Sequence, residues 1–183
     1  MGSMFSDPKK NVLEFGFVPG QRVADLGSGS GHYSKVLSTT LGSTGKVVAV
    51  DIDREMLRKL KNEAVMEGKD NIQVIDGNIE KKNGTKIRDQ YFDGAVLSNI
   101  LYQLNDINGA LEETKRILKP GGRLCVVEWS DLSLISGKKA LGNKTAIKEV
   151  VARETMEKAG FNFEKIFPAG ESHYGLIFRK PLQ

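Results

Sequence analysis

The chain has 183 residues and a mass of 20.1 kDa, with 39% apolar and 27% charged residues, which fits one globular domain and excludes extended disorder. Its 27 Lys+Arg against 23 Asp+Glu leave a net charge of +4, which tolerates an anionic substrate or weak RNA contact but falls short of a nucleic-acid-binding signature. A single cysteine, Cys125, excludes a disulfide framework, and two histidines far apart, His32 and His173, speak against a zinc site.

No apolar run approaches the ~20 residues of a bilayer span, and no charged, then apolar start reads as a secretory leader. A cytoplasmic protein is therefore expected. Met1-Gly2-Ser3 reads as an expression scar, leaving residues 4–183 as a single domain.

In chain order, a short helix is expected over Pro8–Phe15, then strands at Arg22–Leu26 and Lys46–Asp51. Asp53 reads as the N-cap of a helix over Arg54–Met66 that turns Leu57, Leu60 and Ala64 to one side. Strands follow at Asn71–Asp76 and Phe92–Ser98, with a polar, weakly patterned Glu80–Asp89 between them. Asn105 or Asp106 opens a helix with Ile107, Ala110, Leu111, Thr114 and Leu118 inward, and Pro120-Gly121-Gly122 is expected to stop it. After a strand at Arg123–Trp129, a last helix starts around Ile147, Val150 and Val151 and ends at Gly160. Asn162–Phe167 and Tyr174–Arg179 then form an antiparallel hairpin around a turn from Pro168 to His173. Alternating β-branched runs and helical patterns give an α/β fold, a doubly wound, mostly parallel sheet with helices on both faces. Its ligand is expected outside the carboxyl ends of the strands.

The first strand runs into Asp25-Leu26-Gly27-Ser28-Gly29-Ser30-Gly31. Glycines here allow a sharp turn and close approach of the backbone to a ligand. The dinucleotide pattern G-x-G-x-x-G fails in both registers, because its third glycine would fall on His32 or Ser34, and no Gly-Lys-Ser/Thr completes a phosphate loop. A nicotinamide-dependent reductase is disfavoured on that ground. The carboxylate of Asp25 beside the loop would repel a pyrophosphate but suits a ligand carrying an ammonium or sulfonium, which points to S-adenosylmethionine. Asp51, at the tip of the second strand, is placed to accept hydrogen bonds from two ribose hydroxyls.

The glycine loop, the Asp51-Ile52-Asp53 strand end with Met56-Leu57 after it, and Arg116-Ile117-Leu118-Lys119-Pro120-Gly121-Gly122-Arg123-Leu124 together resemble a class I S-adenosylmethionine-dependent methyltransferase. The chain is most similar to the ubiquinone/menaquinone-biosynthesis-like, methyltransferase type 11 branch. The resemblance runs from about Val12 to Arg179 and includes Glu157-Lys158-Ala159-Gly160-Phe161 and His173-Tyr174-Gly175-Leu176. It implies a Rossmann-like sheet of seven strands, the last inserted antiparallel beside the sixth. It further implies that Asp25 holds the methionine ammonium, directly or through water, while Gly27, Gly29 and Gly31, with Ser28 between them, line the methionine and ribose. Asp51 takes the ribose and Ile52 packs on the adenine. Gly77-Asn78-Ile79 stands where the family usually has Gly-Asp-Ala or Gly-Asp-Ile, so Asn78 would accept from the adenine amino group, with Asp76 as its rival. Ser98-Asn99-Ile100-Leu101 would run along the methionine and face the acceptor.

A sulfonium methyl is already activated, so alignment is the main catalytic task, and orientation can contribute roughly 7–11 kcal/mol. His32, Tyr33, Tyr102, Glu128 and His173 are candidate bases near the mouth, with Glu128 slightly ahead and His173 expected as an exposed turn residue; none is assigned. No Asn/Asp-Pro-Pro-Tyr/Phe follows the fourth strand, which argues against a DNA amine methyltransferase. Cys125 lies within a strand, as a buried apolar residue would, rather than as a cytosine-C5 nucleophile. Asp131–Asn143 is short for a lid and has Lys138, Lys139 and Lys144 nearby, which suggests an open, lightly basic site. The reading is a methyltransferase producing S-adenosylhomocysteine, acting on an unidentified small-molecule or macromolecular acceptor. The alternative is a catalytically silent S-adenosylmethionine-binding sensor or partner subunit.

Overall fold

Val47–Val50 and Ala95–Leu97 are continuous apolar runs, the pattern of strands covered on both faces, and all of these residues are buried at the middle of one sheet. The computed structural model describes residues 6–131 and 145–183. Its elements are α1 (Pro8–Phe15), β1 (Arg22–Leu26), α2 (His32–Leu41), β2 (Lys46–Asp51), α3 (Arg54–Met66), β3 (Ile72–Asp76), β4 (Phe92–Ser98), α4 (Ile107–Ile117), β5 (Leu118–Trp129), α5 (Glu149–Lys158), β6 (Asn162–Gly170) and β7 (His173–Arg179), with a single 3-10 turn at Leu101–Gln103.

Among the described residues the strands form one seven-stranded sheet in the order β3-β2-β1-β4-β5-β7-β6. β1 to β5 run parallel, and β7 is antiparallel to both β5 and β6. The sequence-based fold class and the late antiparallel strand are therefore observed. α1 and α2 cover one face through Val12, Phe15, Tyr33, Leu37 and Leu41. α4 and α5 cover the other through Ala110, Leu111, Ile117, Ala152 and Met156. The chain winds outward from β1 in one direction and from β4 in the other, so the crevice between their carboxyl ends is the topological switch point.

Local signals account for most element ends. The Asp7 carboxylate accepts from the Lys9 amide at 3.0 Å, and Asp53 accepts from the amides of Glu55 and Met56 at 2.9 and 3.1 Å, so both cap as acids do at helix N-termini. Asp106, not Asn105, caps α4 through the Gly109 amide at 2.9 Å.

Two expectations, the stop of α4 and the bounds of the last hairpin turn, need correction. Pro120-Gly121-Gly122 does not stop α4, which ends at Ile117 because Leu118 already pairs with Phe92 in the sheet. The Pro-Gly-Gly segment is an excursion within β5 before Arg123 pairs with Gly94. The last helix is observed as α5, with Val150 and Val151 in solvent at 60% and 50% exposure and Ala152 and Met156, one turn apart, facing the core. The β6–β7 turn is Glu171-Ser172 alone: Pro168 continues β6, which is tolerated on an edge strand whose missing N–H faces no partner, and a register shift from Pro168 to Gly170 absorbs the misfit. Of the short segment from Asp131 with its neighbouring lysines, residues 132–144 lie outside the described residues.

Candidate functional site

A cavity of about 430 Å³ opens at the carboxyl ends of β1, β2 and β3, a size within the range of small-ligand sites. Among the residues that wall it are Gly27, Gly29, Asp51, Ile52, Gly77, Asn78 and Ile79, seven of the positions singled out from the sequence. Among the described residues its lining carries three acids, Asp51, Asp53 and Glu80, and no lysine, arginine or histidine. A wider depression of about 900 Å³ lies at the opposite end, where Arg22, Lys46 and Ile72 begin their strands. There the Ser38 hydroxyl donates to Asn71, and the Asn71 amide closes back on the carbonyls of Ser38 and Gly42, so those groups satisfy one another.

The loop after β1 divides its glycines between packing and space. A Cβ at Gly27 would come within 2.7 Å of the Ile100 side chain, and one at Gly31 within 2.3 Å of Leu60 on α3. Both backbones have positive φ, so a side chain at either position would be strained as well as crowded. A Cβ at Gly29 would meet nothing within 4 Å. Gly29 is the place where the loop leaves room for a guest.

Asp51 is already engaged on both oxygens: Oδ2 accepts from the Gly29 amide at 2.7 Å and Oδ1 from the Asp53 amide at 2.9 Å. These bonds lock the carboxylate in the cavity wall and leave its remaining lone pairs for a ligand. Ile52 is 69% exposed beside it, and Met56, one helical turn along, is 41% exposed, so an apolar lip borders the acidic wall. Asn78 lines the cavity and turns its own Oδ1 to the Glu80 amide at 2.8 Å. Asp76 points elsewhere, pairing with Arg54 at 2.8 Å.

Asp25, Ser28, Gly31, Ser98 and Asn99 are not on the cavity lining. Asp25 is buried on the α1–α2 face and accepts from the Ser34 hydroxyl at 2.6 Å. Burial raises its carboxyl to about 6, with the Ser34 bonds opposing and the nearby Asp51 charge adding to the rise. Asn99 adopts a left-handed backbone at φ 54°. Its Oδ1 is buried without a partner, as is the Ser28 hydroxyl. Two orphaned polar atoms beside the glycine loop and the end of β4 are groups a polar ligand would satisfy.

The candidate bases fare differently. His32 is exposed, with its Nδ1 3.1 Å from the Ser30 hydroxyl. Tyr33 is buried, its hydroxyl held by Ser6 at 2.7 Å and by the Asn11 amide at 2.8 Å. Tyr102 takes a 3.3 Å bond from Gln103. Glu128 does not face an open crevice: it is fully buried and accepts from the amides of Leu101 and Trp129, each at 2.8 Å.

His173 is not an exposed turn residue either. It begins β7, is only 5% exposed, and lies against Trp129 with ring centroids 3.9 Å apart. Among the described residues both buried ring nitrogens lack partners, and burial pushes its pKa down to about 4. In the unfolded chain it titrates near 6.5, so the unfolded state binds a proton first and folding stability drops as pH falls from about 6.5 towards 4. Replacing His173 with glutamine, which does not titrate, removes that contribution. The stability difference between His173→Gln and the parent chain should move by more than ~1 kcal/mol in the variant's favour between pH 7 and pH 4. Urea melts at both pH values measure it, and a constant difference would contradict the buried neutral imidazole.

The cavity also includes Met56, Glu80, Gln103, Leu104 and Asn105, which sequence reasoning did not place there. Met56 was visible in the motif after Asp51. Glu80 had no periodic signal, yet its Oε2 accepts from the amides of Asn105 and Asp106 at 3.1 and 2.7 Å and ties the start of α4 to the cavity rim.

A family profile described as a methyltransferase domain matches residues 18–172, most of the chain. The chain belongs to that family. It is a class I S-adenosylmethionine-dependent methyltransferase domain. It is 37% identical over 116 residues to the ubiquinone/menaquinone biosynthesis C-methyltransferase UbiE of Vibrio campbellii, covering 61% of this chain and 42% of that protein. The chain thus spans less than half the length of the curated relative it matches. Its structure is similar to that of a SAM-dependent methyltransferase from Aquifex aeolicus, with TM-score 0.83 and 26% identity, covering 95% of this chain and 89% of the other. It also shares its fold with the cyclase SpnF, at TM-score 0.78 and 16% identity over 96% of this chain and 80% of that one. Among the described residues of the methyltransferase domain, no helix is long and apolar enough to cross a membrane.

Proposed function

We propose that the domain binds S-adenosylmethionine in the 430 Å³ cavity and transfers its methyl group by in-line displacement to an acceptor entering beyond β4 and β5. The observation that carries this reading is the charge of the cavity, three acids and, among the described residues, no base, beside the switch point of the sheet. An acidic wall repels the pyrophosphate of a dinucleotide and favours a cationic nucleoside. The residues present fit the group: Gly29 leaves open space, the Asn99 Oδ1 lacks a donor, and Ile52 and Met56 offer an uncovered apolar lip.

In this reading Asp51 accepts from the ribose hydroxyls, Ile52 and Met56 cover the adenine, and Asn78 and Ile79 meet its edge. Gly27, Ser28, Gly29 and Gly31 form the cradle, and Asp25, Ser98 and Asn99 serve the methionine end. When bound, S-adenosylmethionine supplies a methyl group already activated on sulfur and leaves as S-adenosylhomocysteine. The protein's own contribution is then to hold the acceptor in line and keep water out.

Because SpnF, a cyclase, has the same fold, product formation rather than fold decides the reaction. Methyl-labelled S-adenosylmethionine is incubated with the full chain and a panel of phenols, amines, thiols, tRNA and ribosomal fractions. Label in one acceptor class with matching S-adenosylhomocysteine is the expected result. Tight binding with no transfer to any acceptor would favour the silent sensor or partner subunit.

A further inference from the structure

A fully buried carboxylate at the end of a central strand needs a reason, because taking its charge out of water is costly unless its lone pairs are filled. Glu128 is such a group. Its Oε2 accepts from the Leu101 amide and its Oε1 from its own neighbour Trp129, each at 2.8 Å, and the amides of Ile100 and Tyr102 also bond towards it. Among the described residues its partners are backbone N–H groups, with no lysine or arginine. Three successive amides, Ile100 to Tyr102, converge on this one side chain, which reaches across from β5 to the segment leaving β4.

That segment forms one wall of the cavity. Ile100, Gln103 and Leu104 line it, and Ile100 is the side chain that would clash with a Cβ at Gly27. Asn99, immediately before, holds a left-handed backbone, and its carbonyl accepts from the Gln103 amide side chain at 2.7 Å. The 3-10 turn has only three residues; its Leu101 side chain packs in the core, while the backbone amides of Ile100, Leu101 and Tyr102 donate their hydrogen bonds to Glu128.

We infer that Glu128 is a positioning residue for cofactor binding: without touching the cavity, it fixes the Ile100–Gln103 backbone and so sets the wall against which the nucleoside packs. The inference rests on the cofactor reading above and adds to it a residue that acts through the backbone rather than through the ligand. It also explains why a carboxylate is used at this position. A glutamine has one acceptor oxygen in place of two, and its NH2 would oppose one of the amides. An alanine leaves Ile100, Leu101 and Tyr102 with buried N–H groups and no acceptor.

The test uses the full chain, Glu128→Gln and Glu128→Ala, with S-adenosylhomocysteine as the probe. Titration calorimetry well below each melting temperature is combined with amide hydrogen exchange. Affinity should weaken roughly three- to tenfold in Glu128→Gln and more than about thirtyfold in Glu128→Ala. Faster exchange should be confined to Ile100–Gln103 and Trp129. A role limited to general stability would lower the melting temperature and leave the dissociation constant unchanged, and that outcome overturns the inference. If Glu128→Ala does not fold, Glu128→Gln decides alone: affinity within twofold of the parent overturns it. A parent chain that fails to bind the probe removes the cofactor reading itself, and the inference with it. A parent that binds while both variants bind equally well removes the role of Glu128 only.

Discussion

Glu113→Ala should cost about 3–5 kcal/mol of folding stability, the range for breaking a buried, hydrogen-bonded ion pair by removing one partner. Glu113 is a buried carboxylate on α4 with five donors: Arg116 Nε and Nη2 at 2.8 and 2.7 Å, the Thr85 amide and hydroxyl at 3.1 and 2.5 Å, and the Asn83 amide at 2.9 Å. Burial works to raise its pKa, but the bonds from Arg116, Thr85 and Asn83 together outweigh it and hold the group at about 2. Its ionised form is therefore favoured by folding, and the stability it contributes persists at neutral pH and is lost only as pH falls from about 4.5 towards 2. Out of a total of roughly 5–15 kcal/mol for a typical domain, this is a large share. The consequence reaches the cavity, because the segment it anchors includes Gly84, whose carbonyl accepts from the Asn78 amide at 3.1 Å. Denaturant melts of Glu113→Ala and Glu113→Gln measure the effect, and a loss below ~1 kcal/mol for the alanine variant would contradict it.

Asp51→Ala should weaken S-adenosylmethionine binding by about 1.5–3 kcal/mol, or roughly 10- to 150-fold, the worth of charge-assisted hydrogen bonds. Two effects act together. The variant loses the carboxylate offered to the ribose, and it also frees the Gly29 and Asp53 amides that Asp51 now holds at 2.7 and 2.9 Å, loosening the cradle. Asp51→Asn keeps one acceptor oxygen and should fall between the two. Titration calorimetry at one pH checks both variants, and an affinity for Asp51→Ala equal to the parent's would take Asp51 out of the site.

Much of this architecture was legible because its causes are local. β1, β2 and β4 fall where their apolar runs end, and α3 starts at the acid that caps it. The spacing of Asp25, Gly27, Gly29 and Asp51 reads from sequence because a turn of small residues and a strand-tip acid need particular residue types at particular places. What sequence left hidden depends on tertiary partners. Pro120-Gly121-Gly122 looks like a helix stop, but pairing of Leu118 with Phe92 ends α4 earlier, and only the sheet register reveals that. His173 looks like a turn residue until Trp129 is found against it. Glu128 reads from sequence as a strand-end acid, and Glu113 carries no signal of its own there. Their amide partners at Leu101, Thr85 and Asn83 lie 27 to 30 residues away, a distance no periodicity reports.

An acid-walled cleft that holds a cationic sulfur nucleoside should reveal itself when the full chain is titrated with S-adenosylmethionine at pH 5 and pH 7.5. Asp25, raised by burial to about 6, is largely protonated at the lower pH, and a bound cation favours its ionised form. Affinity should therefore rise with pH through about 6 and level off above it, with 1:1 stoichiometry, and Asp25→Asn should remove most of that rise. Failure of both S-adenosylmethionine and S-adenosylhomocysteine to saturate the chain at millimolar concentration at either pH would rule out such a nucleoside as the occupant of the cleft.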